Sequence, residues 1–541
     1  MLNFNYNINR FDIAATVGWT GRYENMNNIR VSTNGGLVTE NWFDLNASRY
    51  TPSSTLQRME LLKTGYMGTL SLGWDNYLFL ELTGRQERSS TLKDQSFFYP
   101  SANLSFLFTQ AFHMPSWWNY GKLRLSYGIV GNAPETYTAN IVYEQGSDNG
   151  FTWNTIPSSW GNADIRPEKK YEYEIGLESK FLNNRLGIDV SYYNNRVKDQ
   201  ILSTPQPSTS GVKNVLMNVG EVANHGWDIS ISATPILTRD FRWDLTANYG
   251  VYKNKVVKLA DGVPYLEILN SGGSGIKIQA VEGQPMGDIY AQVPQVNENG
   301  EYLVSDKGLY LNQTELQKVG NINPAGVGGL FNSFSYKNVF LDFSIDFRIG
   351  GDVINEMNQY ATAVGLTPES LKYRDTEHGG LSYYYPGDNN SSGIPVQVDP
   401  STGAGPNGEI IYHDGIILPG VVASTGERNT RIIPAGYYYN TTYNWGTEAE
   451  QLTYRHSVFD NSYVKLRELT IGYQFPEKMI SKLGLGRLSV SVFGRNLFYF
   501  YKALKNYDAE SSVGTSWANQ ATVGSSTTAT RSFGVSLRAS F

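Results

Sequence analysis

Apolar and polar residues alternate strictly along much of this chain. In the last segment Phe533, Val535, Leu537, Ala539 and Phe541 fall on one side of an extended strand, and Ser532, Gly534, Ser536, Arg538 and Ser540 on the other. Residues 339–349 set Val339, Leu341, Phe343, Ile345, Phe347 and Ile349 against Asp342, Ser344, Asp346 and Arg348. Trp243, Leu245, Ala247 and Tyr249 alternate with Arg242, Asp244, Thr246 and Asn248, and Trp227, Ile229, Ile231 and Ala233 with Asp228, Ser230, Ser232 and Thr234. A period of two marks β-strands with unlike faces. The pattern predicts about fifteen strands, many of ten residues or more. Soluble strands usually run about five or six residues, and tilted membrane strands about nine to eleven.

The predicted connections alternate in length. Short ones fall at Asn9 and Arg10, at Asp75 and Asn76, over 111–119, at Asn183 and Asn184, over 235–240, at Lys337 and Asn338, and over 476–486. Long ones fall over 25–65, 88–96, 131–169, 204–215, 259–327, 351–461 and 502–527. A membrane barrel has tight turns on one side and long loops on the other. A soluble sandwich has no reason for that alternation. The fold class predicted is all-β: an antiparallel transmembrane β-barrel with the long connections outside. Bacterial single-chain barrels have an even number of strands, and lipid does not tolerate open sheet edges. An odd count near fifteen, with a strand pattern starting at residue 1, therefore predicts further strands upstream. The first residues also lack the basic and apolar regions of a signal peptide.

Composition agrees with this picture. Aromatics make up 13% of the 541 residues (37 Tyr, 24 Phe, 11 Trp), and there are 54 Gly, which suits strands and turns. Charged residues are 17%, below the roughly 25% of soluble domains. Mean hydropathy is -0.36, and no apolar run reaches the roughly 18 residues of a helical span. Barrel strands escape that test because their lumenal residues are polar. The net charge of -6 gives no support for nucleic-acid binding. The absence of cysteine excludes disulfides and thiolate metal sites.

Catalytic signatures do not assemble. There is no zinc-protease helix motif and no nucleophile elbow, and the pair Gly121-Lys122 lacks the first glycine of a phosphate loop. The five histidines (His113, His225, His378, His413, His456) are scattered, and no metal ligands are assigned. The loop over 388–409 is rich in oxygen ligands but lacks calcium-loop spacing. It leaves a structural calcium ion open, with no other cofactor indicated. Glu172, Glu174, Glu178, Asp189, Asp228, Asp244, Asp342 and Asp346 are predicted to face a polar lumen rather than to form a catalytic pair. Aromatics in long connections have free ring faces for an oligomeric ligand. The candidate ligand contacts are Trp153, Trp160, Tyr383, Tyr384, Tyr385, Tyr437, Tyr438, Tyr439, Trp445 and Trp517. Packing of the loops, or contact with a covering protein, is the competing role for the same rings.

The stretch over 460–500 resembles the penultimate hairpin of SusC-type (SusC/RagA) TonB-dependent transporters of Bacteroidetes. Tyr463, Lys465, Leu466, Arg467, Gly472, Tyr473, Pro476, Gly494, Asn496, Leu497 and Phe498 carry the resemblance, followed by Tyr507 and Asp508. Segments over 122–132, 217–236, 320–355 and 413–422 are similar to the family in the same order. The resemblance implies an outer-membrane barrel of about 22 strands, of which this chain is the C-terminal part. It also implies a plug and a Ton box, both expected to lie outside residues 1–541. The implied activity is nutrient import, with an oligosaccharide or peptide as cargo. The implied partners are a SusD-like surface lipoprotein, the TonB complex and outer-membrane lipid. A passive porin, an outer-membrane enzyme and a soluble adhesin are the competing readings.

Overall fold

The computed structural model describes residues 1–93, 96–148, 150–206, 208–271, 275–387, 393–444, 453–481, 484–511, 516–524 and 529–540. Fifteen strands form one antiparallel sheet, each beside its neighbour in the chain. They are β1 (Leu2–Ile8), β2 (Phe11–Leu37), β3 (Ser48–Trp74), β4 (Leu78–Ser89), β5 (Ser96–Phe106), β6 (Trp118–Asn132), β7 (Glu168–Phe181) and β8 (Leu186–Lys198). Then come β9 (Glu221–Leu237), β10 (Phe241–Lys258), β11 (Gly326–Tyr336), β12 (Val339–Ile349), β13 (Tyr463–Gln474), β14 (Arg487–Lys502) and β15 (Ser532–Ser540). Phe541 lies outside the described residues. The chain divides into two compact units, residues 1–229 with 254–264, and residues 230–253 with 265–541.

Within the first unit, cross-strand register builds a continuous apolar row. Tyr6, Ile13, Leu72, Leu80, Leu104, Leu125, Ile175 and Tyr192 stand opposite one another in turn. One residue further along, on the other face, runs Ala14, Ser71, Glu81, Asn103, Ser126 and Glu174. The second unit repeats the arrangement with Trp243, Phe334, Leu341, Ile471, Val492 and Val535. The rings of Trp243 and Phe334 stack at 5.5 Å. These apolar faces are not covered by protein: Phe533 is 73% exposed, Val535 71% and Leu537 69%. A contiguous apolar band of this extent is stable only against lipid.

The buried cores lie instead in the long connections. In the second unit Ile276, Ile278, Ile289, Ile354, Tyr454 and Val458 form one cluster. Leu309, Ile416, Leu418 and Ile433 form another. The tight turns carry the positive backbone angles that two-residue hairpins need: Asn9 has φ 52° and Lys337 φ 52°, with Asp75 and Asn76 at 53° and 58°. Beside the turn over 182–185, Trp117, Trp118 and Phe181 stack at 5.4–5.9 Å. This places an aromatic girdle at the short-turn end.

One predicted loop is mostly paired strand. Residues 25–65 continue β2 and β3 as a ribbon to Leu37 opposite Ser48, leaving a connection of only ten residues, 38–47. In that ribbon apolar residues such as Met26, Ile29, Val31 and Leu56 are scattered among polar ones on both faces, so backbone pairing there leaves no strict alternation to read. The predicted connection over 204–215 stands, its ends pairing as Thr204 with Val215 and Pro205 with Asn214 at the tip of the hairpin Ile201–Pro205 with Asn214–Asn218. A lysine in place of lipid-facing Leu177 should destabilise the folded wall by about 2–4 kcal/mol. Ser126→Lys, on the polar face opposite Glu174, should change it little. Urea titration of protein refolded in liposomes measures both.

Candidate functional site

The hairpin that carries the family resemblance closes on itself through charge. Lys465, 1% exposed, donates to Glu510 at 2.6 Å. Arg467 reaches Asp346 at 2.5 Å, Asn496 at 2.9 Å and both oxygens of Glu510 at 2.5 and 2.8 Å. Asp508 accepts from the Tyr499 hydroxyl and from the Glu510 amide, both at 2.9 Å. Bulges at Lys465 and Glu468, and the left-handed Asn496 (φ 53°), turn these side chains toward one point. Burial raises the Glu510 carboxyl, but hydrogen bonds from Arg467 and Lys465 outweigh it and bring it down to about 2. The motif thus fastens the connection after β14 onto β12 and β13.

Above the second unit's strands, the connection over 351–461 builds a tyrosine-lined pocket of about 520 Å³. Helix α1 (Glu356–Ala363) is capped by the Asn355 side chain on the Asn358 amide. Helix α2 (Ala435–Tyr443) presents Tyr438, Tyr439 and Tyr443, whose rings meet at 5.1–6.1 Å. Tyr310 and Tyr373 complete the walls, and Ile416 and Leu418 provide apolar floor. The Tyr439 hydroxyl donates to the Glu369 carbonyl at 2.8 Å, tying α2 to the rim. Exposed Glu369 and Lys372 stand at the mouth, with the Lys372 ammonium 4.7 Å from the Tyr373 ring. Burial pushes the phenols of Tyr310 and Tyr439 up to about 12, so they act as neutral hydrogen-bonding groups. Ring faces, hydroxyls and two opposite charges suit a polar oligomer with flat or apolar faces.

The aromatics chosen from sequence separate by position. Tyr438 and Tyr439 line this pocket, and Tyr437 packs beside it on the Leu309 cluster. Tyr383, Tyr384 and Tyr385 are buried at 1%, 9% and 5%. Tyr383 stacks on Tyr412 at 5.5 Å and donates to Asp414 at 3.1 Å. These tyrosines support the strand Tyr412–Ile416, which supplies the floor. Trp517 is 38% exposed, elsewhere in the second unit. In the first unit Trp153 is 46% exposed on the hairpin Glu144–Asp148 with Phe151–Thr155. Trp160 pairs with Val215 and meets Tyr143 edge to face at 6.1 Å. Trp445 lies outside the described residues.

Sequence reasoning missed Tyr310, Tyr373 and Tyr443. Tyr443 follows Tyr439 by four residues and was legible as one helix face, had the segment been read as helix. Tyr310 and Tyr373 are single tyrosines brought in by tertiary folding.

Most polar-face carboxylates are engaged within the sheet. Arg124 bridges Asp189 at 2.6 Å and Glu178 at 3.5 Å. Asn195 donates to Glu172, Arg242 pairs with Asp244, and Ser333 donates to Asp342. His378 pairs with Asp375 at 2.7 Å, and His413 with Ser382 at 2.8 Å. In the oxygen-rich loop, Asp399 accepts from Ser401, and Glu409 from Gly387 and Asn407.

Lipid-facing apolar rows, tight turns at one end and large folded connections at the other define a wall segment of an outer-membrane barrel. The chain belongs to the family described as TonB dependent receptor-like, beta-barrel, which its residues 2–294 match. It is an outer-membrane protein. TonB-dependent receptor P3 of Formosa agariphila is 24% identical over 494 residues, which cover 83% of this chain and 42% of that protein. SusC of Bacteroides thetaiotaomicron is 30% identical over 247 residues, 42% of this chain and 24% of SusC. The structure described as the RagAB peptide importer in the open-open state superposes with a TM-score of 0.70 at 18% identity, covering all of this chain and 54% of that one. The chain thus spans about half the length of such relatives, or less.

Two measurements address this region. Glu510→Ala leaves Lys465 buried without its carboxylate, at a cost of about 3 kcal/mol, the low end for a broken buried pair because Glu510 is a third exposed. Proteolysis of the connection after β14 should become faster while the barrel stays folded. His456 stacks on Tyr443 at 4.3 Å, and burial, aided by Arg455, lowers its imidazole to about 4. The folded connection holds it neutral while the unfolded chain protonates near 6.5. Stability is therefore full above pH 6.5 and falls as pH drops toward 4. Hydrogen exchange over 435–460 should rise across that window in wild type and much less in His456→Gln.

Proposed function

We propose that the chain is the wall and outer-loop part of a TonB-dependent importer of an oligomeric nutrient, an oligosaccharide or a peptide. The tyrosine-lined pocket on the long-connection side carries this reading. Sugar rings stack on tyrosine faces, and peptides bury apolar side chains in the same setting. The exposed Trp153 and Trp517 are candidates for further contacts. A SusD-like lipoprotein would cover the outer connections. TonB would act through the portion of the relatives that this chain does not span. Family membership favours a gated receptor over a passive porin, and the paired carboxylates of the polar face favour a wall over an enzyme.

Calorimetry with purified protein, titrated in turn with oligosaccharide mixtures and short peptides, tests the reading. One class should bind, and Tyr373→Ala should weaken it about tenfold, equal to about 1.4 kcal/mol. Binding of neither class, or affinity indifferent to Tyr373, would sink it.

A further inference from the structure

Strands β7 and β8 carry an unusual pair on their lipid-facing side. Outward residues of β8 run Leu186, Ile188, Val190, Tyr192, then Asn194, Arg196, Lys198. Those of β7 run from Phe181 through Leu177, Ile175, Tyr173 and Tyr171 to Lys169. β8 turns polar at Asn194 and cationic at Arg196, opposite Tyr173 and Tyr171, and both strands are cationic at the level of Lys169 and Lys198. From the girdle residue Phe181 to Tyr171 is ten residues. At about 3.3 Å each and a tilt near 40°, they climb about 25 Å, the height of the apolar band. Tyr173, Tyr192 and Trp227 cluster at 4.9–6.5 Å just below, as an outer aromatic girdle would. Lys169 and Lys198 therefore sit at the headgroup level on the long-connection side.

The two lysines stand directly opposite each other. Like charges so placed destabilise a sheet. Nearby carboxylates are committed elsewhere: Glu221 to Arg196 at 3.1 Å and Asp199 to Arg166 at 3.3 Å. Among the described residues neither lysine has a carboxylate within ion-pair distance. The Lys198 ammonium lies 5.9 Å from the Tyr171 ring, and Lys198 is exposed while Lys169 is half-buried. A doubly charged oxyanion between the two ammonium groups would turn repulsion into attraction. At this depth the available oxyanion is a lipid phosphate.

We propose that Lys169 and Lys198, above Tyr171, form a binding site for the phosphate of an outer-leaflet glycolipid headgroup. The proposal rests on the outer-membrane placement. The test uses protein purified in detergent, with fluorescent phosphorylated lipid A, its dephosphorylated form, and inorganic phosphate as probes. Phosphorylated lipid A should bind, with at least tenfold loss in K169Q/K198Q and none in K337Q, a control in the turn between β11 and β12. Dephosphorylated lipid A should bind wild type as weakly as phosphorylated lipid A binds the double variant, and millimolar inorganic phosphate should not compete. The single K198Q, at an exposed position, reports the same loss if the double variant folds poorly. Unchanged affinity in both variants, equal binding of the dephosphorylated lipid, or displacement by free phosphate overturns the site. Absence of a heat-modifiable band for wild type would instead overturn the membrane placement on which it stands.

Discussion

The structure depends on one constraint: one face of its main sheet is solvated by hydrocarbon. Lipid offers no hydrogen bonds, so backbone groups in the wall must pair with neighbouring strands. It also repels charge, so outward positions are apolar. Both demands are met by long antiparallel strands with period two. This explains why apolar side chains such as Phe533, Val535 and Leu537 stand exposed on the last strand.

Water governs the connections, and there ordinary folding rules return. Ile276, Ile278 and Ile289 are fully buried in a small four-stranded sheet within the second unit. Tyr383 and Tyr385 pack with Ile432 beneath the pocket. The tyrosines thus divide their labour. Some are structural and buried, while those of α2 and Tyr373 turn toward a cavity that an oligomeric ligand could fill. The same residue type serves both because its ring is apolar and its hydroxyl is not.

The family-like run around Lys465 and Arg467 acquires a physical meaning. In sequence it is a set of matches to a family. In the structure it is an ion cluster that joins Asp346, Asn496 and Glu510, residues far apart in the chain. A buried lysine needs such a partner, which explains the tight geometry. It also anchors the connection after β14 through Glu510.

By itself, the sequence determined the class of fold and the faces of those wall strands whose alternation is strict. Alternation is local, and a one-residue change of register would reverse every side chain. Residues 339–349 were legible as β12 for that reason, as were two-residue turns such as Lys337 and Asn338. The ribbon beyond Asn25 was not, because apolar and polar residues are mixed on both of its faces. Only the tertiary structure decided which aromatics share a pocket. Tyr310, Tyr373 and Tyr443 join Tyr438 and Tyr439 through contacts between separate connections, whereas the run Tyr383 to Tyr385 is turned into a core. The facing of Lys169 and Lys198 follows from the register that the turn at Asn183 and Asn184 sets for β7 and β8.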